Sequence, residues 1–272
     1  MCPFGTHHGH SDSDYALHSY GDGTWRNRLL HGNRHVTPRA LVPVISDAGV
    51  VNAASFDPKL SPGTYASIFG KNLSDSTVIA SLPYPGSLAN VQVLVNHLFV
   101  PVQYVSTGQI NFLLPYDVSL GNGTVQVMRN GIAGNSVTVS IAATAPGVFP
   151  NGNLGIATDA NGRLVTSDNP IVPGNPYVLW LTGLGRTDCP TLQPGVASNA
   201  ICNTLIQPQL VIGGKTAQIY YAGLSPQFPG LYQINFVVSG QTSSSPPVEV
   251  QGVVLAGDAQ TQFMTVSQIE QQ

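Results

Sequence analysis

The chain has 272 residues, of which 42% are hydrophobic and only 8% charged, with a formal net charge of −3. Ordinary soluble domains carry about 25% charged residues, so the polar surface here must come from Ser, Thr, Asn and Gln. Three classes fall away at once. Disorder needs low hydrophobicity with high net charge. Non-specific nucleic-acid binding needs many cations to neutralise phosphates, and the only lysines are Lys59, Lys71 and Lys215. A membrane helix needs about 18 apolar residues in a row, and no such run exists.

Residues 1–42 differ from the rest. They hold His7, His8, His10, His18, His31 and His35, four arginines and no apolar periodicity. They read as an extended arm. They contain no signal-peptide core, so the expectation of secretion rests on domain character. His7, His8 and His10 are the best metal candidates by composition, since neighbouring imidazoles can grip Zn²⁺, Ni²⁺ or Cu²⁺; a solvated tail is the simpler reading. Residues 40–46 are apolar and β-prone. They read either as the first strand of their own sandwich or as a strand laid on a neighbouring subunit.

From residue 43 the pattern is that of short strands. TYASIFG (64–70) is followed by NVQVLV (90–95), a tight turn at Asn96 and His97, and LFVPVQYV (98–105), where Pro101 marks an edge or bulge. GQINFLLP (108–115), GTVQVMR (123–129), a turn at Asn130-Gly131 and SVTVSIA (136–142) complete the series. After Pro146-Gly147 a second series opens with NLGIATD (153–159), a turn at Asn161-Gly162 and RLVTS (163–167). NPYVLWLTG (175–183), PQLVIG (208–213), TAQIYYAG (216–223), GLYQINFVV (230–238), PVEVQGVVLA (247–256) and TQFMTVS (261–267) follow. The spacing suits β-sandwiches.

The two series read as one unit repeated. Gln109, Ile110, Asn111 and Phe112 recur as Gln233, Ile234, Asn235 and Phe236. Each copy follows a strand rich in tyrosine, with Tyr104 in the first and Tyr220 and Tyr221 in the second. Each unit also has a Pro-Gly before an aromatic strand: Pro62-Gly63 before Tyr65, and Pro173-Gly174 before Tyr177. The expected fold is all-β: two tandem immunoglobulin-like sandwiches, 43–147 and 148–272, behind the arm at 1–42. In each tetrapeptide the apolar pair should face the core and the amide pair the other side. A sugar-binding role for those amides is the functional alternative to a structural one.

The chain resembles an uncharacterised C-terminal domain family of large secreted proteins of Acidobacteria, notably Solibacter. The resemblance is carried by VVNAASF (50–56), SPGTYASIFGKNLS (61–74), YVSTGQINFLLP (104–115), TAPGVF (144–149), LWLTGLGRTD (179–188) and GLYQINFVV (230–238), and covers about 45–268. It implies an extracellular setting. It defines no activity and no catalytic residue.

Chemistry-bearing patterns are sparse. Cys189 and Cys202 flank one Gly/Pro/Asn-rich loop and read as a disulfide, with Cys2 alone near the terminus. Thr182-Gly183-Leu184-Gly185-Arg186 lacks the spacing and ending of a phosphate loop and reads as a turn or bulge. His97 is the only histidine beyond the arm, no Gly-x-Ser-x-Gly elbow exists, and the glutamates of the body are Glu249 and Glu270. No calcium loop occurs in the two units. Asn72 and Asn122 match the N-glycosylation pattern. The expectation is therefore no enzyme and no cofactor, but an extracellular structural or adhesive protein that self-associates into filaments or binds another extracellular protein. The alternative is a carbohydrate- or protein-binding accessory module of a secreted bacterial system, with Tyr84, Tyr104, Tyr221 and Phe228 as candidate aromatics near the cleft between the units; a secreted hydrolase is the third reading.

Overall fold

The computed structural model describes residues 41–255 apart from 153, 167, 213–214 and 239–249. The candidate metal residues His7, His8 and His10, Cys2 and the expected strand at 261–267 lie outside the described residues. Among the described residues there are 21 strands and no helix.

Ten strands build the first sandwich: β1 (Val44–Asn52), β2 (Lys59–Leu60), β3 (Tyr65–Lys71), β4 (Val78–Ile79), β5 (Val91–Val95), β6 (Leu98–Val100), β7 (Val102–Val105), β8 (Gln109–Leu113), β9 (Gly121–Arg129) and β10 (Ile132–Ile141). One sheet has the order β1-β3-β8-β7-β4 and the other β2-β10-β9-β5-β6. Taking β1, β3, β5, β6, β7, β8, β9 and β10 as A, B, C, C′, D, E, F and G gives A-B-E-D against G-F-C-C′. That is the immunoglobulin strand order, and β2 adds a parallel pair to β10. Period-2 alternation explains the layering. Val91, Val93, Val95, Val125, Val127, Ile110 and Phe112 point inward to a common core, while Gln92, Gln126, Gln109 and Asn111 point away.

The remaining strands are β11 (Gly147–Val148), β12 (Pro150–Asn151), β13 (Leu154–Gly155), β14 (Ala157–Asp159), β15 (Pro176–Thr182), β16 (Cys202–Asn203), β17 (Pro208–Ile212), β18 (Lys215–Thr216), β19 (Gln218–Leu224), β20 (Tyr232–Val237) and β21 (Val250–Leu255). They repeat the plan. The order β11-β15-β20-β19-β16, with β14 also on β15, faces β18-β17-β21. Their core gathers Leu179, Leu181, Leu210, Tyr232, Ile234 and Phe236, and takes in Leu113 and Tyr116 from the first half of the chain.

Turn chemistry sets the hairpins. Asn96 and His97 both have positive φ, as do Asn130 and Gly131, the signature of the type I′ turn that matches strand twist. Pro101 ends β6 and lets the chain pass to the other sheet as β7, because proline cannot donate to a ladder.

One sequence expectation changes. The described part of the expected strand at 163–167, residues 163–166, is not a strand and makes only the isolated bridges Thr158↔Leu164 and Thr166↔Asn169. The Asp159 carboxylate accepts the backbone N–H groups of Asn161 (2.9 Å) and Arg163 (3.0 Å), which curls the chain there. The two-residue strands β2, β4 and β16 were too short to show a period. Val44 and Ile45, at the end of the 40–46 stretch, pair with Lys71 and Gly70 of β3 and begin the first strand of their own sandwich.

Candidate functional site

The repeated tetrapeptide fixes the two strongest candidate faces. In β8, Asn111 lies between Ser67 of β3 and Tyr104 of β7, and Gln109 lies opposite Phe69. In β20, Asn235 lies between Val178 of β15 and Tyr221 of β19, and Gln233 lies opposite Trp180. The D strand bulges at the same place in both units. The extra residue is Gln103 between Val102 and Tyr104, and Tyr220 between Ile219 and Tyr221. Ile110, Phe112, Ile234 and Phe236 are buried, which turns both amide pairs onto the outer faces.

Each outer face carries the same local bond. Gln109 Nε2 donates to Asn111 Oδ1 at 2.9 Å, and Gln233 Nε2 donates to Asn235 Oδ1 at 3.0 Å. In the first unit the network goes further. Ser67 Oγ also donates to Asn111 Oδ1 (3.0 Å), and Asn111 Nδ2 donates to Gln103 Oε1 (3.4 Å). In the second unit the equivalent positions are Val178 and Tyr220, which offer neither bond. Trp180 beside the pair is partly exposed, with its indole N–H donated to Thr158 Oγ1 (3.1 Å). Tyr221 lies along β19 over Gly223 and donates its hydroxyl to the carbonyl of Leu224 at 2.7 Å. Burial pushes the pKa of that hydroxyl above its ordinary value, which keeps it neutral.

The two sandwiches are joined by a buried junction. The Thr182 hydroxyl accepts the backbone N–H of Tyr65 and donates to the carbonyl of Gly230, both at 2.8 Å. Ser61 Oγ donates to the carbonyl of Gly183 (2.9 Å). Tyr232 Oη donates to the carbonyl of Gly185 (2.6 Å), and Tyr116 Oη accepts from the N–H of Gly230 (3.0 Å). Burial pushes Tyr116 up to about 12 and Tyr232 well above 10.0. Both phenols therefore stay neutral donors and acceptors. The 182–186 stretch that superficially suggested a phosphate loop is part of this junction. Gly183 and Gly185 adopt positive φ there, with the carbonyls of Ala145 and Ala143 pressed against them.

Cys189 and Cys202 form a disulfide, with Cα atoms 5.3 Å apart. The loop between them reaches the first sandwich, where the carbonyl of Gly195 accepts the backbone N–H of Tyr84 (2.9 Å) and Gly195 packs on Pro101. Beside this loop opens a groove of about 600 Å³ lined by Tyr116, Asp117, Arg186, Leu192 and Leu205 among others.

The four aromatics singled out from the sequence are not joined by any ring contact to one another among the described residues. Tyr84 packs edge-on against Tyr65 (6.2 Å) at the junction. Phe228 is half exposed in the loop before β20. Tyr104 and Tyr221 occupy equivalent places beside Asn111 and Asn235. Sequence reading missed Trp180 and Tyr220 as neighbours of the second amide pair, because the pairing register that unites them is not a sequence property. Among the described residues no group of three His, Cys, Asp or Glu side chains could hold a metal ion.

No protein-family model matches the chain, and no curated protein does. Solved structures do. The full extracellular region of plexin A4 aligns with 90% of this chain at 13% identity and a TM-score of 0.30. FdeC, an Escherichia coli adhesin, aligns with 79% at 12% identity and a TM-score of 0.19. The chain spans 19% of the plexin's length and 61% of FdeC's. The immunoglobulin-like assignment stands on the strand order.

Proposed function

We propose that this chain is a non-catalytic structural or adhesive protein of the cell surface or extracellular space, which presents two immunoglobulin-like sandwiches as one stiff unit to another copy or another extracellular partner. The observation that carries the reading is the junction. Flexible tandem domains meet through a solvated linker. Here four hydrogen bonds cross between the sandwiches: Thr182 accepts the N–H of Tyr65, Ser61 donates to the carbonyl of Gly183, Tyr116 accepts the N–H of Gly230 and Tyr232 donates to the carbonyl of Pro62. The Cys189–Cys202 disulfide supports an oxidising compartment. The scarcity of charge fits a surface that associates through neutral contacts.

The test is made on source cells. Antibody to the folded chain should label intact cells or their culture fluid, and electron microscopy of the native material should show the chain in filaments or surface assemblies. Recovery only from the cytoplasm would refute the reading.

A further inference from the structure

The same amide pair is closed in one sandwich and open in the other. Asn111 is engaged through Gln109, Ser67 and Gln103. Asn235 receives only the Gln233 bond. Among the described residues its Nδ2 group and the Gln233 Oε1 atom have no partner. The two changes responsible are Ser67 to Val178 and Gln103 to Tyr220 at equivalent register positions. The first removes a hydroxyl, and the second replaces an amide with a phenol ring that is 64% exposed.

The open pair is flanked by rings. Trp180 sits directly across β15 from Gln233, and Tyr221 lies beside Asn235 on β19 with Tyr220 next to it on the bulge. Neighbouring strands are about 4.8 Å apart and the two rows lie about 7 Å apart along the strands, so the indole on β15 and the phenols on β19 stand diagonally about 12 Å apart with the amides between them. Trp180, Val178, Gln233, Asn235, Tyr220 and Tyr221 carry no charge. Such a face offers rings for stacking and a donor and an acceptor for hydroxyls. Its electrostatic neighbour is the carboxylate of Asp188 near Tyr221, which disfavours an anionic ligand.

We propose that the outer face of β15-β20-β19 is a binding site for an uncharged carbohydrate chain. Pyranose rings would stack on Tyr220 and Trp180, and sugar hydroxyls would bond Asn235 Nδ2 and Gln233 Oε1. The neutral face selects against anionic glycans. The first sandwich, with its amides saturated, is a scaffold copy without this activity. The proposal deepens the adhesive reading and rests on it only for the setting in which such a ligand is met.

The experiment is affinity electrophoresis of the purified full chain through gels containing hydroxyethylcellulose, glucomannan, xyloglucan, galactomannan or pullulan, with adsorption to insoluble cellulose and chitin. At least one should retain the protein. Tyr220→Ala and Asn235→Ala should each weaken retention about ten-fold or more, the worth of one stacked ring or one hydrogen bond of about 1.4 kcal/mol. Lys71→Gln, on the first sandwich, should not change it. Thermal unfolding checks that the variants fold, and Tyr220 is exposed enough for its loss to be tolerated. Absence of retention by every polysaccharide overturns the proposal, as does retention unaffected by both variants. Binding of the face to an immobilised second copy instead, abolished by Tyr220→Ala, also overturns it. None of these results bears on surface location, so the site and the adhesive reading fail separately.

Discussion

Gly63 lies directly beneath the hydroxyl of Tyr232, so close that a Cβ at that position would overlap the phenol oxygen and the ring of Tyr116. The glycine belongs to the turn before β3 in the first sandwich, and the tyrosine begins β20 in the second. Gly63 also has φ +73, a left-handed backbone that L side chains resist. The close approach brings the Tyr232 hydroxyl to the carbonyl of Pro62 at 3.4 Å. Gly63→Ala adds a strained φ and an overpacked contact, and should cost about 2–4 kcal/mol. Denaturant unfolding should show the loss, with the two sandwiches no longer unfolding together. A single transition with an unchanged midpoint would show that the junction tolerates the methyl.

The disulfide is the second test. Thiol labelling of the unfolded, unreduced chain should find Cys2 alone; labelling of all three cysteines would exclude the bond. Replacing both Cys189 and Cys202 by Ser should lower stability by roughly 3 kcal/mol, the value for a loop of this size. It should also free the Gly195 contact with Tyr84, seen as faster amide exchange at Tyr84.

The duplication was legible in the sequence because a tetrapeptide, a preceding tyrosine and a Pro-Gly turn recur in the same order. The structure gives that order its meaning, with residues 109–112 in β8 and 233–236 in β20 flanked by equivalent strands. The cysteine pairing was legible too, since only one loop offered two cysteines. The open carbohydrate face was not. It depends on which residues stand opposite Asn111 and Asn235 across strands, and on a bulge that shifts the register by one. Ser67 and Val178 are far from the tetrapeptides in sequence, so no local pattern marks them. The junction was hidden for the same reason: Gly63 reads as an ordinary turn glycine until Tyr232 is placed above it.

A pH test follows from Asp75. The side chain of Asn130 and then that of buried Arg129 hold its carboxyl below the ordinary 3.8. A carboxyl whose folded value is depressed contributes stability above its unfolded value and loses it as pH falls through the folded one. Asp75→Asn should therefore be less stable than the parent at pH 7, since Arg129 loses its carboxylate. The difference should shrink below pH 3.8 as the parent Asp75 protonates. Thermal unfolding across acid pH measures it, and a gap that stays constant to the lowest pH would contradict the ion-pair assignment.

Thr187 offers a stabilising change. Its Oγ1 is buried with no hydrogen-bond partner among the described residues, at a cost of about 1–3 kcal/mol for an unsatisfied hydroxyl. Thr187→Val keeps the shape and removes the polar atom. The variant should unfold at higher denaturant, by about 1 kcal/mol. A destabilised variant would mean that the hydroxyl has a partner in solution, a bound water being the simplest.

The two asparagines should respond unequally to the same truncation. Asn111 accepts from Ser67 and Gln109 and donates to Gln103, so Asn111→Ala removes three bonds and leaves a half-buried network without its centre. Asn235 has one such bond. At about 0.5–1.5 kcal/mol net for each hydrogen bond, Asn111→Ala should cost about 2–3 kcal/mol and Asn235→Ala about 1 kcal/mol or less. Urea titration of both variants gives the comparison. The same two proteins should invert their order in polysaccharide retention, where Asn235→Ala loses binding and Asn111→Ala, if folded, keeps it. Equal stability losses would mean that the two faces are engaged alike. The contrast between a closed scaffold face and an open binding face would then have no basis.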